Sequence, residues 1–315
     1  MDQHTPTFAG IDVSKATLDA YLHPEGSHRQ FKNHKTGWRA LRGWLNAAHP
    51  DGVVYEATGT YHKGIERYLG KHGFPIARLD PRRARKFAQA LGISAKTDPI
   101  DACGLAQFGA FLKPPTLSLP EPALEQLKEL VAARRGLMQQ RTRIINKSKT
   151  ASVPLLKRQL RLSKQQIARQ IVQIDTACHE IVNSEPTLAQ RLIILKSIPA
   201  IGDVTAMTLL AEMPELGELN DKQAASLLGG APLARDSGAW QGKRFIRGGR
   251  ATVRRAVYMA ALSAMRFNAD MKRKYDALVT EEKPPKLALT AIMRKLIILA
   301  NALIRDNRQW SEVRP

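Results

Sequence analysis

Thr7-Phe8-Ala9-Gly10-Ile11-Asp12-Val13-Ser14-Lys15 is the stretch that decides how the rest of the chain is read. It is a short apolar run closing on one acid, Asp12, and stopped by polar residues, the pattern of a buried strand that delivers a carboxylate at its end. Leu18–Leu22 and Arg29–Lys32 follow as short strand candidates between turn residues, so the chain opens with an antiparallel meander. Trp38, Leu41, Trp44 and Leu45 then recur at helical spacing. Gly52–Glu56 (Gly-Val-Val-Tyr-Glu) reads as a second buried strand ending on an acid, running into a turn at Thr58–Gly59. A helix from about His62 to His72, a strand over Phe74–Leu79 and a helix over 98–112, stopped by Pro114–Pro115, complete the region. Strands and helices alternating after a meander predict a mixed sheet with flanking helices.

Beyond Pro114–Pro122 the composition changes. Ala123 to Ser148 carries one helix-weakening residue, Gly136, and Leu155 to Val182 carries none, which predicts a long helical hairpin, a coiled coil with irregular heptads. From Pro186 on, the chain reads as mainly helical with a loop-rich middle. Leu192–Ser197, the turn Ile198-Pro199-Ala200-Ile201-Gly202 and Asp203–Glu212 read as helix, tight hairpin, helix, either a phosphate site at a helix N-terminus or an ordinary turn, with Ala200 standing where a second glycine would favour the former. The expected organisation is α/β plus α, with boundaries at 1–118, 119–186 and 187–315.

The whole chain has 315 residues, with 49 Lys and Arg against 28 Asp and Glu, a net charge of +21. An excess of that size repels itself in a compact fold unless a polyanion offsets it, and nucleic acid is the leading partner because each neutralised phosphate also releases counterions. Between Lys128 and Arg169 twelve Lys and Arg, among them Arg141, Lys147, Lys149, Lys157 and Arg158, face one acid, Glu129; a merely solvated helix face mixes its signs. Arg82, Arg83, Arg85 and Lys86 form a second block, and residues 235–255 a third, with Lys243, Arg244, Arg247, Arg250 and Arg254. Cys103 and Cys178 stand alone, without metal-ligand spacing, which fits a reducing cytoplasm and excludes a disulfide scaffold. Asp2, Gln3 and His4 lead into a strand, so no signal peptide is read there. The best late apolar run, Leu296 to Ile304, falls short of the ~18 residues of a spanning helix, and Lys286–Ile304 is expected to pack a core.

The acids carry the chemistry. Asp12 and Glu56 end buried strands, and Asp98 and Asp101, in Lys96-Thr97-Asp98-Pro99-Ile100-Asp101-Ala102, fall on one face of a helix. Singly, each has an ordinary reading: Asp98 before Pro99 is a good N-cap, Asp101 suits the helix dipole, and Glu56 is a turn acid. Together, in a strongly basic chain, they make sense with a cation. Carboxylate oxygens suit Mg²⁺, and a pair of such ions clamps the attacking and leaving oxygens of a phosphoryl transfer. Acids at two strand ends and on a helix are how a ribonuclease-H-like fold assembles its metal site.

The run Gly10-Ile11-Asp12-Val13-Ser14-Lys15, then Glu56-Ala57-Thr58-Gly59-Thr60-Tyr61, then Lys96-Thr97-Asp98 with Asp101-Ala102, closely resembles the DEDD transposases of insertion sequences in the IS one-ten family. Leu228-Gly229-Gly230-Ala231-Pro232, Asp236-Ser237-Gly238, Gly242, Ile246, Gly248 and Arg254-Arg255 resemble the C-terminal domain of the same family, so the resemblance spans nearly the whole chain. It implies a RuvC-like domain in which Asp12, Glu56, Asp98 and Asp101 hold Mg²⁺, in a two-metal site where Mn²⁺ can substitute. It implies that Ser237 attacks a DNA phosphodiester and forms a covalent phosphoserine link, and that a structured non-coding bridge RNA pairs with target and donor double-stranded DNA. A homo-oligomer, dimer or tetramer, acting on the nucleoid of a bacterial cytoplasm and not on a membrane, completes what the family implies, with the site formed between protomers.

Read on its own residues, Ser237 is as easily part of a Ser-Gly turn. His62 reads as a helix-start residue that could assist catalysis, and Trp240 as a candidate for stacking on a base. Two rival functions stand beside the recombinase. One is a structure-selective Mg²⁺ endonuclease of the Holliday-junction-resolving type, with water as nucleophile. The other is a non-catalytic nucleic-acid-binding protein in which the acids are caps and turns.

Overall fold

The computed structural model describes residues 6–57, 59–92, 97–117, 119, 121–230 and 248–311; between 231 and 247 it describes only the backbone of four residue pairs. The chain divides into two units, Met1–Leu119 and Pro120–Pro315.

The first unit is built on a five-stranded sheet of order β3-β2-β1-β4-β5. β1 (Phe8–Val13), β2 (Thr17–His23) and β3 (His28–Lys32) form the expected antiparallel meander, and β4 (Gly52–Glu56) and β5 (Ile76–Leu79) add to β1 in parallel. Parallel neighbours need crossovers, which α1 (Lys35–Ala48) and α2 (Lys63–Lys71) supply. Leu41 and Leu45 of α1 and Ile65 and Leu69 of α2 share a core with Ile11, Val13, Val53 and Tyr55 of the sheet. On the opposite sheet face, Phe8, Val54, Ala77 and Leu79 pack with Leu105 and Phe108 of α4 (Asp98–Leu112).

Between β5 and α4 the structure has a helix absent from the sequence reading, α3 (Pro81–Ala90). Its start signal is plain in retrospect: the Asp80 side chain accepts from the Arg82 N–H at 2.8 Å, and Pro81 holds the first helical position. None of its residues is buried, so it lacks the apolar stripe by which helices are recognised.

The second unit is helical. α5 (Pro122–Thr150) and α6 (Pro154–Ser184) pack against each other, joined in cross-section by Arg134 and Asp175, whose Nε–Oδ1 separation is 2.5 Å. Leu127, Val131, Cys178 and Val182 of this hairpin belong to one core with α7 (Pro186–Ser197), α8 (Asp203–Glu212), α9 (Asp221–Leu228), α10 (Ala251–Phe267), α11 (Ala269–Thr280) and α12 (Pro285–Arg305). By length and composition α12 is apolar enough to cross a membrane, against the expectation from the sequence, because Arg294 and Lys295 interrupt the run without lowering its average much. Ile292, Leu296, Ile297, Ala300 and Leu303 are buried in the core of the unit, which gives that apolarity its use. The loop-rich middle carries four two-residue strands, β6 (Pro232–Leu233) paired with β9 (Phe245–Ile246), and β7 (Asp236–Ser237) paired with β8 (Trp240–Gln241). Two-residue strands have no periodicity for a sequence to reveal.

Candidate functional site

Strand alternation decides where the acids point. Phe8, Gly10 and Asp12 of β1 share a face, and the parallel register of Gly10 with Val54 puts Glu56 of β4 on that same face. That is the face α4 covers, and α4 begins with Asp98 and carries Asp101 in its first turn. Asp98 is the first helical residue with Thr97 at the N-cap, and Thr97 makes no side-chain capping bond; the N-cap role expected for Asp98 is therefore one residue out. The contact that lets α4 lie so close is Gly10: a Cβ there would stand 2.0 Å from the Ala102 carbonyl oxygen and 2.4 Å from the Ala106 nitrogen.

Asp12, at the end of one parallel strand, thus lies within electrostatic range of Glu56 at the end of its neighbour and of Asp98 and Asp101 at the start of one helix. Asp12 registers the convergence. Burial pushes its carboxyl up to about 6, and the charges of Asp98, Asp101 and Glu56 add to that, against one backbone hydrogen bond from Val13 that lowers it. The acids act on one another at electrostatic range; among the described residues no three His, Cys, Asp or Glu side chains come close enough together to grip a metal ion. Asp12, Glu56 and Asp101 are half-buried and Asp98 is exposed; such mutually repelling carboxylates are nonetheless the donor type that hard divalent cations such as Mg²⁺ and Mn²⁺ fit.

The opposite face of β4 carries a buried polar group that the sequence reading did not find. Tyr55, one residue before Glu56, donates from its hydroxyl to Glu66 of α2. The Glu66 carboxylate also lies 3.7 Å from His62 Nε2 and 3.5 Å from Arg78 Nη1 of β5. Burial and the bond to Glu66 hold the Tyr55 hydroxyl far above its ordinary range, so it stays a donor. His62 precedes α2 as expected, but it is buried and stacked on Tyr55 with ring centroids 5.9 Å apart. The i, i+4 spacing of His62 and Glu66 is the signal that could have shown the pair.

Arg82, Arg83, Arg85 and Lys86 are all exposed on α3, which rests on α4 through an edge contact of Phe87 with Phe108 at 5.2 Å. The acidic cluster and a basic helix are thus both supported by α4. In the second unit Lys147, Lys149, Lys157 and Arg158 are exposed around the turn of the hairpin and Arg141 is half-buried.

Ser237 lies in β7, with its backbone paired to Trp240 of β8. The side chains of Ser237 and Trp240, and the whole of Lys243, Arg244 and Arg247, lie outside the described residues. The ends of this segment are described. Gly249, with a left-handed φ of 67°, has no room for a Cβ, which would stand 2.2 Å from the Gly229 nitrogen; the Arg250 N–H donates to the Leu227 carbonyl at 2.8 Å, and Arg254 Nη1 to the Gly248 carbonyl at 2.7 Å. Arg250, expected to meet a phosphate, has its guanidinium engaged otherwise: it donates to both carboxylate oxygens of Glu215, at 2.8 and 2.6 Å, and to the Glu212 carbonyl at 2.5 Å. That fork holds the Glu215 carboxyl below its ordinary range.

The hairpin between α7 and α8 has the predicted shape, and Ala200 there adopts φ 83°, where glycine is at ease and alanine is strained. Asp203, in the first turn of α8, pairs with Lys196 at 2.7 Å, so a side-chain carboxylate already stands at that helix N-terminus.

Residues 9–151 match a family of transposases of the DEDD, IS110 type, and residues 193–276 match the family described as Transposase IS116/IS110/IS902. A pilin gene-inverting protein of Moraxella bovis is 30% identical over 324 aligned positions, covering 97% of this chain and 98% of the relative. A pilin gene-inverting protein of Moraxella lacunata is 29% identical over the same length and coverage.

Proposed function

This chain belongs to the IS110 family of transposases and is a DNA recombinase, and from that premise we propose how its residues divide the work. The observation that carries the reading is that Asp12 and Glu56 share the sheet face covered by α4, whose first turn holds Asp98 and Asp101, with the Asp12 carboxyl raised by burial and by the charges of the other three. The strand order 3-2-1-4-5, with strand 2 antiparallel to its neighbours, supports a ribonuclease-H-like, RuvC-like domain. In such a domain these acids would hold Mg²⁺, which when bound neutralises charge on a reacting phosphodiester and activates a weak oxygen nucleophile. The acids would hold the ions beside the phosphate, and the exposed arginines of α3 are placed on the same helix support to bind the flanking backbone.

Ser237 is the proposed nucleophile. Its oxygen forms a bond to phosphorus as the bond from phosphorus to one deoxyribose oxygen breaks; the serine proton ends on the departing oxygen, which leaves as a free deoxyribose hydroxyl. The phosphoserine ester keeps the phosphodiester's energy, so attack by a new deoxyribose hydroxyl reseals the strand without ATP. The name of the two Moraxella relatives supports rejoining, because inverting a gene requires cut strands to be sealed as well as cut. A structured bridge RNA is the proposed source of sequence choice for donor and target DNA, and the hairpin cations, Lys147, Lys149, Lys157 and Arg158 among them, are its proposed binding surface. Assembly of the serine and the acids between protomers of an oligomer completes the proposal.

The test is a denaturing gel for a covalent protein–DNA adduct, using protein purified with its cellular RNA, labelled DNA carrying the element's ends and target, and Mg²⁺. The expected result is an adduct that disappears in Ser237→Ala and in Asp98→Asn. Cleavage without an adduct, lost in Asp98→Asn and kept in Ser237→Ala, would replace this reading with the endonuclease.

A further inference from the structure

Two turns carry the chain away from the acid-bearing strands, one after Asp12 and one after Glu56, and a single side chain is bonded to both. The Asn33 amide nitrogen donates to the Ser14 carbonyl at 2.8 Å and to the Tyr61 carbonyl at 3.2 Å. Ser14 lies two residues beyond Asp12 and Tyr61 five beyond Glu56. We propose that Asn33 is a positioning residue that sets the separation of Asp12 and Glu56, an inference that rests on the reading of these acids as a cation site.

The orientation of the amide is fixed from its other side. Trp38 Nε1 donates to Asn33 Oδ1 at 2.8 Å, and an indole nitrogen can only donate, so the oxygen must face Trp38 and the NH₂ must face the two carbonyls. All the polar atoms of the amide are then used, two hydrogens and one oxygen, with no freedom left to flip. Its backbone is anchored as well, since the Asn33 N–H donates to the Ala16 carbonyl at 2.8 Å.

The first turn is closed by its own bonds, and the second runs into a buried residue. In the first, the Ser14 N–H donates to the Thr17 carbonyl at 3.0 Å and the Thr17 N–H to the Ser14 hydroxyl at 2.8 Å. The second ends on His62, buried between Tyr55 and Glu66. A crosslink between two floppy loops would fix nothing; one between two braced turns transmits position to the strand ends they leave. Asn33 touches neither acid, so its effect on them is geometric. Partners bonded directly to a metal's ligands commonly alter affinity for the ion by about 10- to 100-fold, and Asn33, one bond further out, is expected to act at the low end of that range.

The test measures Mn²⁺ binding to the purified full chain from the electron-spin-resonance signal of free Mn²⁺, with circular-dichroism melting alongside. Asn33→Ala is expected to weaken Mn²⁺ binding about 10-fold, and Asn33→Asp, which turns a carboxylate toward two carbonyl oxygens, to weaken it further. Trp38→Phe keeps a ring and removes only the N–H, so a smaller weakening is expected; it also reads the proposal if Asn33→Ala does not fold. Asp12→Asn is the control for the site itself. If wild-type binding is lost in Asp12→Asn but is the same in the Asn33 and Trp38 variants, the crosslink serves only stability and the proposal is overturned while the cation site stands. If the wild type binds no Mn²⁺, or Asp12→Asn binds as well as the wild type, the cation site falls and the positioning role with it.

Discussion

Gly10→Ala is the smallest change that tests whether the contact of α4 with β1 builds the site. The added methyl would meet the Ala102 carbonyl oxygen at 2.0 Å, the Ala106 nitrogen at 2.4 Å and the Leu105 carbonyl carbon at 3.0 Å. All three are backbone atoms of a helix interior, so no rotamer can relieve them. To restore ordinary contact at 3.4 Å the helix must withdraw by about 1.4 Å from a 2.0 Å approach. Overpacking of this kind costs about 1–3 kcal/mol, which for a unit of this size lowers its melting midpoint by some 4–15 °C. Asp98 and Asp101 ride on the same turns of α4 that would be displaced, while Asp12 stays on the strand. A misplacement of about 1 Å in a reacting constellation costs on the order of 100-fold in rate. The assay pairs thermal melting with the adduct-forming cleavage reaction, measured at a temperature where the variant is folded. Gly43→Ala is the matched control: Gly43 sits exposed in α1 with nothing within 4 Å of a new Cβ, and the change should stabilise by about 0.5–1 kcal/mol. If Gly10→Ala melts with the wild type and cleaves at its rate, the close approach is not what sets the acids, and the reasoning is refuted.

Removing the Asp12 charge should have a pH-dependent effect on stability. Its folded carboxyl titrates at about 6 against 3.8 for the free group, so the folded state holds the proton more tightly and the ionised form costs stability above pH 6. Measured in EDTA, Asp12→Asn should raise the melting midpoint at pH 8 by the equivalent of about 1–2 kcal/mol, a figure reduced from the full shift for its partial exposure. The gain should fade as the pH drops through 6 towards 4; a pH-independent difference would show that burial of the charge is not its cause. Ala200→Gly relieves a left-handed alanine and should stabilise the helical unit by about 0.5–1 kcal/mol, the loss of strain exceeding the added chain entropy. Urea unfolding measures this, and an unchanged or lower midpoint would mean that the hairpin is not strained at that residue.

The sheet was legible because its strands follow two simple patterns, an apolar run ending on an acid and a run bounded by turns. β4 runs over Gly52–Glu56 and α4 over Asp98–Leu112, the bounds read from the residues alone. What escaped the sequence escaped for physical reasons. α3 buries nothing, so its helical period leaves no apolar trace, and its caps were the only signal. Arg250 looked like the other cations of its segment, because a charge run does not say which member has an acid waiting across the fold. The acids were found because each stands at the end of an element. Asn33 was not, because its three partners come from two turns and a helix well apart in the chain, and no spacing announces them.

The clasp of Gly229 on Gly249 means that the chain leaves α9 and returns to α10 at nearly the same point in space. The stretch 231–247, which carries Ser237, therefore begins and ends at one seam, where Pro232 also pairs with Ile246. The entropy of closing that loop is met by glycine contacts and by the Arg250–Glu215 fork, outside the stretch. The two ends of the segment are therefore held by contacts of the helical unit's own described residues, apart from the core that α12 fills. A bulky residue at either glycine would force α9 and α10 apart at that seam.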